Sequence, residues 1–234
     1  LRIMIKDNIL KVKRRIDAIC SRINRGPGDI AIVAVTKGRT LDNIKEVLPA
    51  GITDIGENKV QEALLKYSGL TPSTYNLTPI KWHMVGHLQT NKVKDAVRIF
   101  DLIQSVDSLR LAQAIDKEAA RIGKVQEILI EVKTSSEATK FGVKPEEVRE
   151  LLEEAEKLKN IRVSGLMTIA PLVGNPEQAR PYFRRLKELF DDFNTRYTTH
   201  GALRELSMGM SDDFEVAVEE GANMLRLGRA IFEG

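Results

Sequence analysis

The sequence predicts an α/β fold: a single (β/α)8 TIM barrel over residues 1–234, with an extra N-terminal helix. Three observations carry that reading. Short apolar runs of strand length recur eight times along the chain, helical stretches separate them, and polar residues stand at one end of each run. Strands of a parallel sheet are covered on both faces and so read as continuous apolar runs. Their alternation with helices builds right-handed βαβ units, and eight such units close a barrel.

The chain opens with Ile5, Ile9, Val12, Ile16, Ile19 and Ile23, spaced four and three apart. That spacing predicts a helix with one apolar stripe. Its basic cluster of Lys11, Lys13, Arg14 and Arg15 reads as a solvated face rather than as a contact for an acidic partner. Gly26-Pro27-Gly28 ends the helix. The first strand is placed at Ile30–Val35, followed by a helix at Asp42–Leu48. The second pair is Ile52–Ile55 and Lys59–Tyr67; the third is Trp82–Val85 and Asn91–Arg98. Next come Leu102–Val106 with Leu109–Ile122, then Ile128–Val132 with Pro145–Leu158. Val163–Met167 precedes a helix at Pro176–Tyr197, and Leu206–Met208 precedes one at Asp213–Glu219. Met224–Leu227 is the eighth strand. Ser68–Thr78 and Pro171–Pro176 read as loops. The alternative, a doubly wound open sheet, would carry a glycine-rich fingerprint after its first strand, whereas Thr36-Lys37-Gly38-Arg39 holds one glycine.

No composition shift divides the chain, so one domain is expected. The 36 Lys and Arg against 33 Asp and Glu leave a net charge of +3, too small to argue for nucleic acid. The one cysteine, Cys20, forms no intrachain disulfide and fits a reducing compartment. No apolar run approaches the roughly 20 residues that span a bilayer, and there is no secretory signal. A soluble, cytoplasmic protein without a membrane partner is the expectation.

In a barrel the active site gathers at the C-terminal ends of the strands. Lys37 follows the first strand and Gly56-Glu57-Asn58 the second. His83 lies within the third, with Gly86 and His87 after it. Ser105 and Asp107 end the fourth, Lys133-Thr134 the fifth, Thr168 the sixth, Ser211 the seventh and Gly228-Arg229 the eighth. Lys37, flanked by apolar strands, is expected to be partly desolvated, which favours a neutral nucleophilic amine; a lysine that snorkels to solvent is the alternative. Ser211 before Asp212-Asp213 reads as a helix N-cap, whose N–H groups favour an anion. Gly228 admits close backbone approach, with the Arg229 N–H as a donor. An amine at the first strand and a phosphate cradle after the last two suit a phosphorylated aldehyde, with pyridoxal 5′-phosphate as the candidate. Arg226, between Leu225 and Leu227, points inward if those leucines face the helices. Against a pyridine nitrogen it can only donate, which leaves that nitrogen unprotonated and the ring a poorer electron sink. A salt bridge to Glu57 is the alternative. His83, His87 and His200 lack an accompanying acidic cluster, which argues against a metal, and no Gly-x-Ser-x-Gly elbow marks a serine hydrolase.

Several motifs together carry a family resemblance. They are Val35-Thr36-Lys37, Gly56-Glu57-Asn58-Lys59-Val60-Gln61-Glu62, the run Trp82 to Lys92, Gly165-Leu166-Met167-Thr168, Ser207 to Asp213 and Arg226 to Phe232. In that order, across essentially the whole chain, they resemble the YggS/PROSC family of pyridoxal phosphate homeostasis proteins. The resemblance implies a barrel like the N-terminal half of bacterial alanine racemases. It implies pyridoxal 5′-phosphate held as an imine on Lys37, with Arg226 facing the pyridine nitrogen. Ser211 and the backbone N–H groups around Gly228 and Arg229 would hold the phosphate, while Asn58 and Met84–Gly86 would line the cofactor. Two residues depart from the pattern: His87 stands where many members have proline, and Arg229 where threonine or another small residue is usual. Arg229 must then act through its backbone or its own charge.

The implied role is in vitamin B6 homeostasis, as a carrier or regulator without established catalysis. Its expected partners are the cofactor and enzymes that require it, with the chain a monomer or weak homodimer. The alternative is an amino-acid racemase of the alanine racemase type. Such enzymes draw a second base, a tyrosine, from a further domain, which this sequence does not show after its eighth strand. Tyr67, Tyr75, Tyr182 and Tyr197 all fall in helices or a loop. Losing one of two proton-transfer groups removes about 10²–10⁴-fold in rate, so negligible turnover is expected. A sugar-phosphate binder would explain the cradle but give Lys37 and Arg226 no joint role unless Lys37 forms an aldolase-type imine. Lys133 or Lys140 would be a secondary amine in cofactor exchange, or simply a solvated loop lysine.

Overall fold

The computed structural model describes residues 4–70, 79–135, 137, 141–196 and 202–234. Most of the loop read at Ser68–Thr78 lies outside the described residues, as do Tyr75, Lys140, Tyr197 and His200. Eight parallel strands close a barrel in sequence order: β1 Ala31–Val35, β2 Asp54–Glu57, β3 Lys81–Met84, β4 Leu102–Val106, β5 Gln126–Glu131, β6 Ile161–Met167, β7 Glu205–Ser207 and β8 Met224–Leu227. The helices are α1 Ile5–Arg22, α2 Leu41–Val47, α3 Val60–Gly69, α4 Val93–Ile99, α5 Leu109–Arg121, α6 Val148–Ala155, α7 Arg180–Arg196, α8 Phe214–Glu219 and α9 Arg229–Phe232. Among the described residues no helix is long and apolar enough to cross a membrane.

The strand alternation sorts the core into two layers. Outward-facing Ala34, Ile55, Trp82, Ile103, Ile128, Leu166, Leu206 and Leu225 pack against the helices. Val33, Val85, Leu102, Leu129, Met167 and Met224 fill the interior. Thr40 caps α2, accepting from Asn43 N at 3.3 Å, and Ser108 caps α5, accepting from Leu111 N at 3.4 Å. Helix α1 buries Ile5, Ile9, Val12, Ile16 and Ile19 against α2, α8 and α9. It thereby occupies the place in the ring left by the single turn of α9 after β8. Its basic cluster is partly spent within the chain, since Lys13 Nζ donates to Ala50 O at 2.9 Å and Arg15 Nε pairs with Glu215 at 2.8 Å.

The second strand lies two residues later than its apolar run suggests. Its pairing begins at Val33 with Asp54 and runs to Val35 with Gly56. Gly56 and Glu57 continue the strand because each has a place: a Cβ at Gly56 would come within 2.9 Å of Val33 Cγ1 in the interior, and Glu57 finds a cation on α3.

Candidate functional site

The barrel registers decide which predicted residues meet. Val33 pairs with Arg226, and Val35 with Gly56. Lys37 therefore stands four residues beyond Arg226's partner, in step with inward-facing Val33 and Val35. Asn58 occupies the matching position beyond β2. Contrary to the expectation of a partly desolvated amine, the Lys37 side chain is exposed, because it lies in the turn after β1 rather than between strands.

Both sides of that turn are anchored by a buried ionic cluster. Lys66 Nζ, from α3, donates to Thr36 O at 2.6 Å, Glu57 Oε1 at 2.6 Å and Glu62 Oε1 at 2.7 Å. Thr36 Oγ1 donates to the same Glu57 oxygen, and Gly38 N donates to Glu62 Oε1 at 2.6 Å. Burial pushes the Glu57 carboxyl up, against the bonds from Lys66 and Thr36. Sequence reasoning missed Lys66 and Glu62, although an acid four residues before a lysine on a helix is a readable pair.

Arg226 points into the barrel, 4% exposed. Its Nη1 donates to Ser207 Oγ at 2.6 Å and its Nη2 to Thr168 O at 2.7 Å. Burial lowers the guanidinium to about 10, opposed by the charges of Glu131 and Asp213. The alternative salt bridge to Glu57 is corrected here. Glu57 follows Gly56 by one residue, so its side chain leaves the opposite face of β2 and meets Lys66. No described carboxylate lies within ion-pair distance of Arg226, and three of its five N–H groups make no hydrogen bond among the described residues.

The two segments read as a phosphate cradle come together. Ser211 Oγ accepts from Ala230 N at 3.1 Å, at the start of α9. This corrects the N-cap reading of Ser211. Asp213 holds the cap position of α8, and its carboxylate accepts from Met210 N at 2.6 Å. The Arg229 N–H makes no hydrogen bond among the described residues, while its exposed guanidinium is turned away to Asp212. A Cβ at Gly228 would meet nothing nearer than Val35 O at 3.5 Å. The packing does not force glycine there.

Asn58 and Met84 meet at a cavity of about 250 Å³ that also touches His87 and Leu88. The Met84 side chain belongs to the outer core, so only its backbone faces the mouth. A Cβ at Gly86 would fall 2.5 Å from Asn58 O, which fixes glycine where the β2 and β3 ends converge. His87 stacks on Phe141 at 3.7 Å and faces Asp107 at 3.5 Å. Thr168 Oγ1 donates to Val132 O at 2.7 Å and lies 3.0 Å from Thr134 Oγ1. Glu131, which the sequence reading passed over, alternates inward with Leu129. Burial, helped by the charge of Asp107 and opposed by Arg226, pushes its carboxyl up to about 7.

Comparison with known proteins covers the whole of this arrangement. The family model described as the alanine racemase N-terminal domain matches residues 8–234. A pyridoxal phosphate homeostasis protein of Aquifex aeolicus is 43% identical over 226 residues, which is 97% of this chain and 96% of that one. The structure of PipY from Synechococcus elongatus with PLP bound is 34% identical with a TM-score of 0.81, covering 93% of this chain and 99% of the other. An alanine racemase of Clostridium difficile shares the fold at a TM-score of 0.75 and 17% identity, over 96% of this chain and 59% of that one.

Proposed function

The chain belongs to the family of pyridoxal phosphate homeostasis proteins, and we propose that it binds pyridoxal 5′-phosphate as a carrier or regulator, without turnover of its own. The observation that carries this reading is Arg226, buried in the barrel with N–H groups to spare and, among the described residues, no acidic partner at ion-pair distance. When bound, the cofactor supplies an aldehyde for bonding to amines and a ring that draws electrons when its nitrogen is protonated. Arg226 donates to that nitrogen and keeps it unprotonated, which suits holding the cofactor better than driving carbanion chemistry. Lys37 would present its amine to the aldehyde, from a turn fixed from below by Lys66. Ser211, the Arg229 N–H and the space at Gly228 receive the phosphate, and Asn58 and the Met84 backbone line the mouth.

Two of the four tyrosines, Tyr67 and Tyr182, are among the described residues. Tyr67 lies edge-on to Trp82 at 5.8 Å outside the barrel, and Tyr182 packs on the outer core. Neither stands opposite Lys37 to serve as a second base. The test is borohydride reduction of the protein mixed with the cofactor, followed by peptide mapping. A pyridoxyl group on Lys37, lost in Lys37→Ala, is the expected result. Rapid interconversion of alanine enantiomers by the loaded protein would overturn the carrier role.

A further inference from the structure

A line of side-chain hydrogen bonds crosses the barrel interior and ends on Arg226. Arg226 Nη1 donates to Ser207 Oγ at 2.6 Å, and Ser207 Oγ donates to Gln104 Oε1 at 2.6 Å. Gln104 Nε2 lies 3.0 Å from His83 Nδ1, and His83 Nε2 lies 2.9 Å from Asp54 Oδ1. The five residues come from β8, β7, β4, β3 and β2. All but Asp54 are buried, at interior positions where neighbouring strands carry Val33, Leu129 and Met167.

Burying polar groups in such a layer is costly unless each is paired, and a fully paired network fixes a single arrangement. Here the pairing has one polarity. Ser207 spends its only proton on Gln104 Oε1, so an oxygen lone pair is left for Arg226. Gln104, accepting at Oε1, turns its amide nitrogen to His83 and also donates to Met224 Sδ at 3.1 Å. His83 then accepts at Nδ1 and carries its proton on Nε2, toward Asp54. A guanidinium on four rotatable bonds has many placements; this line and Thr168 O allow one.

We propose that Ser207, Gln104 and His83 are positioning residues that hold the plane of the Arg226 guanidinium for the cofactor's ring nitrogen. The inference rests on the reading that Arg226 meets that ring. It makes a specific demand: the line acts at the ring nitrogen and leaves the Lys37 bond and the phosphate end alone.

The test compares binding of pyridoxal 5′-phosphate with that of its 1-deaza analogue, in which carbon replaces the ring nitrogen. Affinities are measured by fluorescence titration for the wild type, Ser207→Ala and Ser207→Thr, and borohydride trapping at Lys37 is scored for each. Ser207→Ala should bind pyridoxal 5′-phosphate about tenfold more weakly, the worth of one hydrogen bond to a charged group. It should bind the analogue as the wild type does, with trapping retained, and Ser207→Thr should recover the loss. Equal losses for both ligands, or no loss for either, would overturn the inference while leaving the cofactor reading intact. Absence of trapping in the wild type would instead overturn the cofactor reading. If Ser207→Ala does not fold, Gln104→Met carries the same comparison.

Discussion

Replacing Glu131 by glutamine should flatten the pH dependence of stability across neutrality. The Glu131 carboxyl, 6% exposed, is moved from an ordinary 4.5 to about 7 by burial first and by Asp107 second, against the pull of Arg226. A carboxyl raised in the fold favours the folded state when protonated. Its contribution is therefore whole below the unfolded-state value and is lost as the pH climbs through about 7. From 4.5 to about 7, at roughly 1.4 kcal/mol per pH unit, the loss amounts to about 3 kcal/mol. About 2.5 kcal/mol of it develops between about pH 5 and pH 8. Glutamine keeps the shape and cannot ionise, so the variant escapes this loss while every other titrating group is common to both proteins. Urea unfolding of the two proteins at both pH values reads the difference directly. The variant should gain on the wild type by about 2–3 kcal/mol at the higher pH, or roughly 5–10 °C in melting temperature. Parallel pH profiles would refute the placement of an acid beside Asp107 in the barrel mouth.

Two further outcomes follow from the anchors around the mouth. Lys66→Met leaves the buried Glu57 carboxylate without its cation and should cost about 3–5 kcal/mol in urea unfolding. Adding Glu57→Gln should recover a large part, and a double variant no better than the single would contradict the pairing. At the phosphate end, Ser211→Ala should weaken cofactor affinity about tenfold, since its hydroxyl sits on the α9 terminus. Arg229→Ala should change affinity little, because its guanidinium is engaged by Asp212. Equilibrium dialysis ranks the two, and a larger effect at Arg229 would place its side chain, not its N–H, on the phosphate.

The barrel was legible because parallel strands hide both faces: the runs at Leu102–Val106 and Met224–Leu227 are strands as read. The second strand shifted because Gly56 and Glu57 look like a strand end when taken alone, and only Val33 and Lys66 reveal why they continue. Inward Arg226 could be read from its flanking leucines. The same alternation, carried from Gly56 to Glu57, would have pointed Glu57 away from it. Ser211 misled because capping preference is local, whereas its hydroxyl is engaged by an N–H 19 residues further on. Exposure of Lys37 depends on the shape of a turn that periodicity does not describe. The polar line from Arg226 to Asp54 joins five segments and leaves no pattern in any one of them.

The place of α1 in the helical ring bears on how the protein folds. Its side-chain hydrogen bonds are the most distant among the described residues: Arg15 with Glu215 spans 200 residues, and Asn8 with Ile231 spans 223. Closing a loop of that length costs about 2 kcal/mol more chain entropy than closing one of some 20 residues, the span from β1 to β2. Non-local contacts of this kind form late and slowly. The seam between β8 and β1, with α1 laid over it, is closed by the contacts of greatest sequence separation described above. Since α9 and its N–H groups lie at that seam, they reach their place beside Ser211 only when the circle is complete.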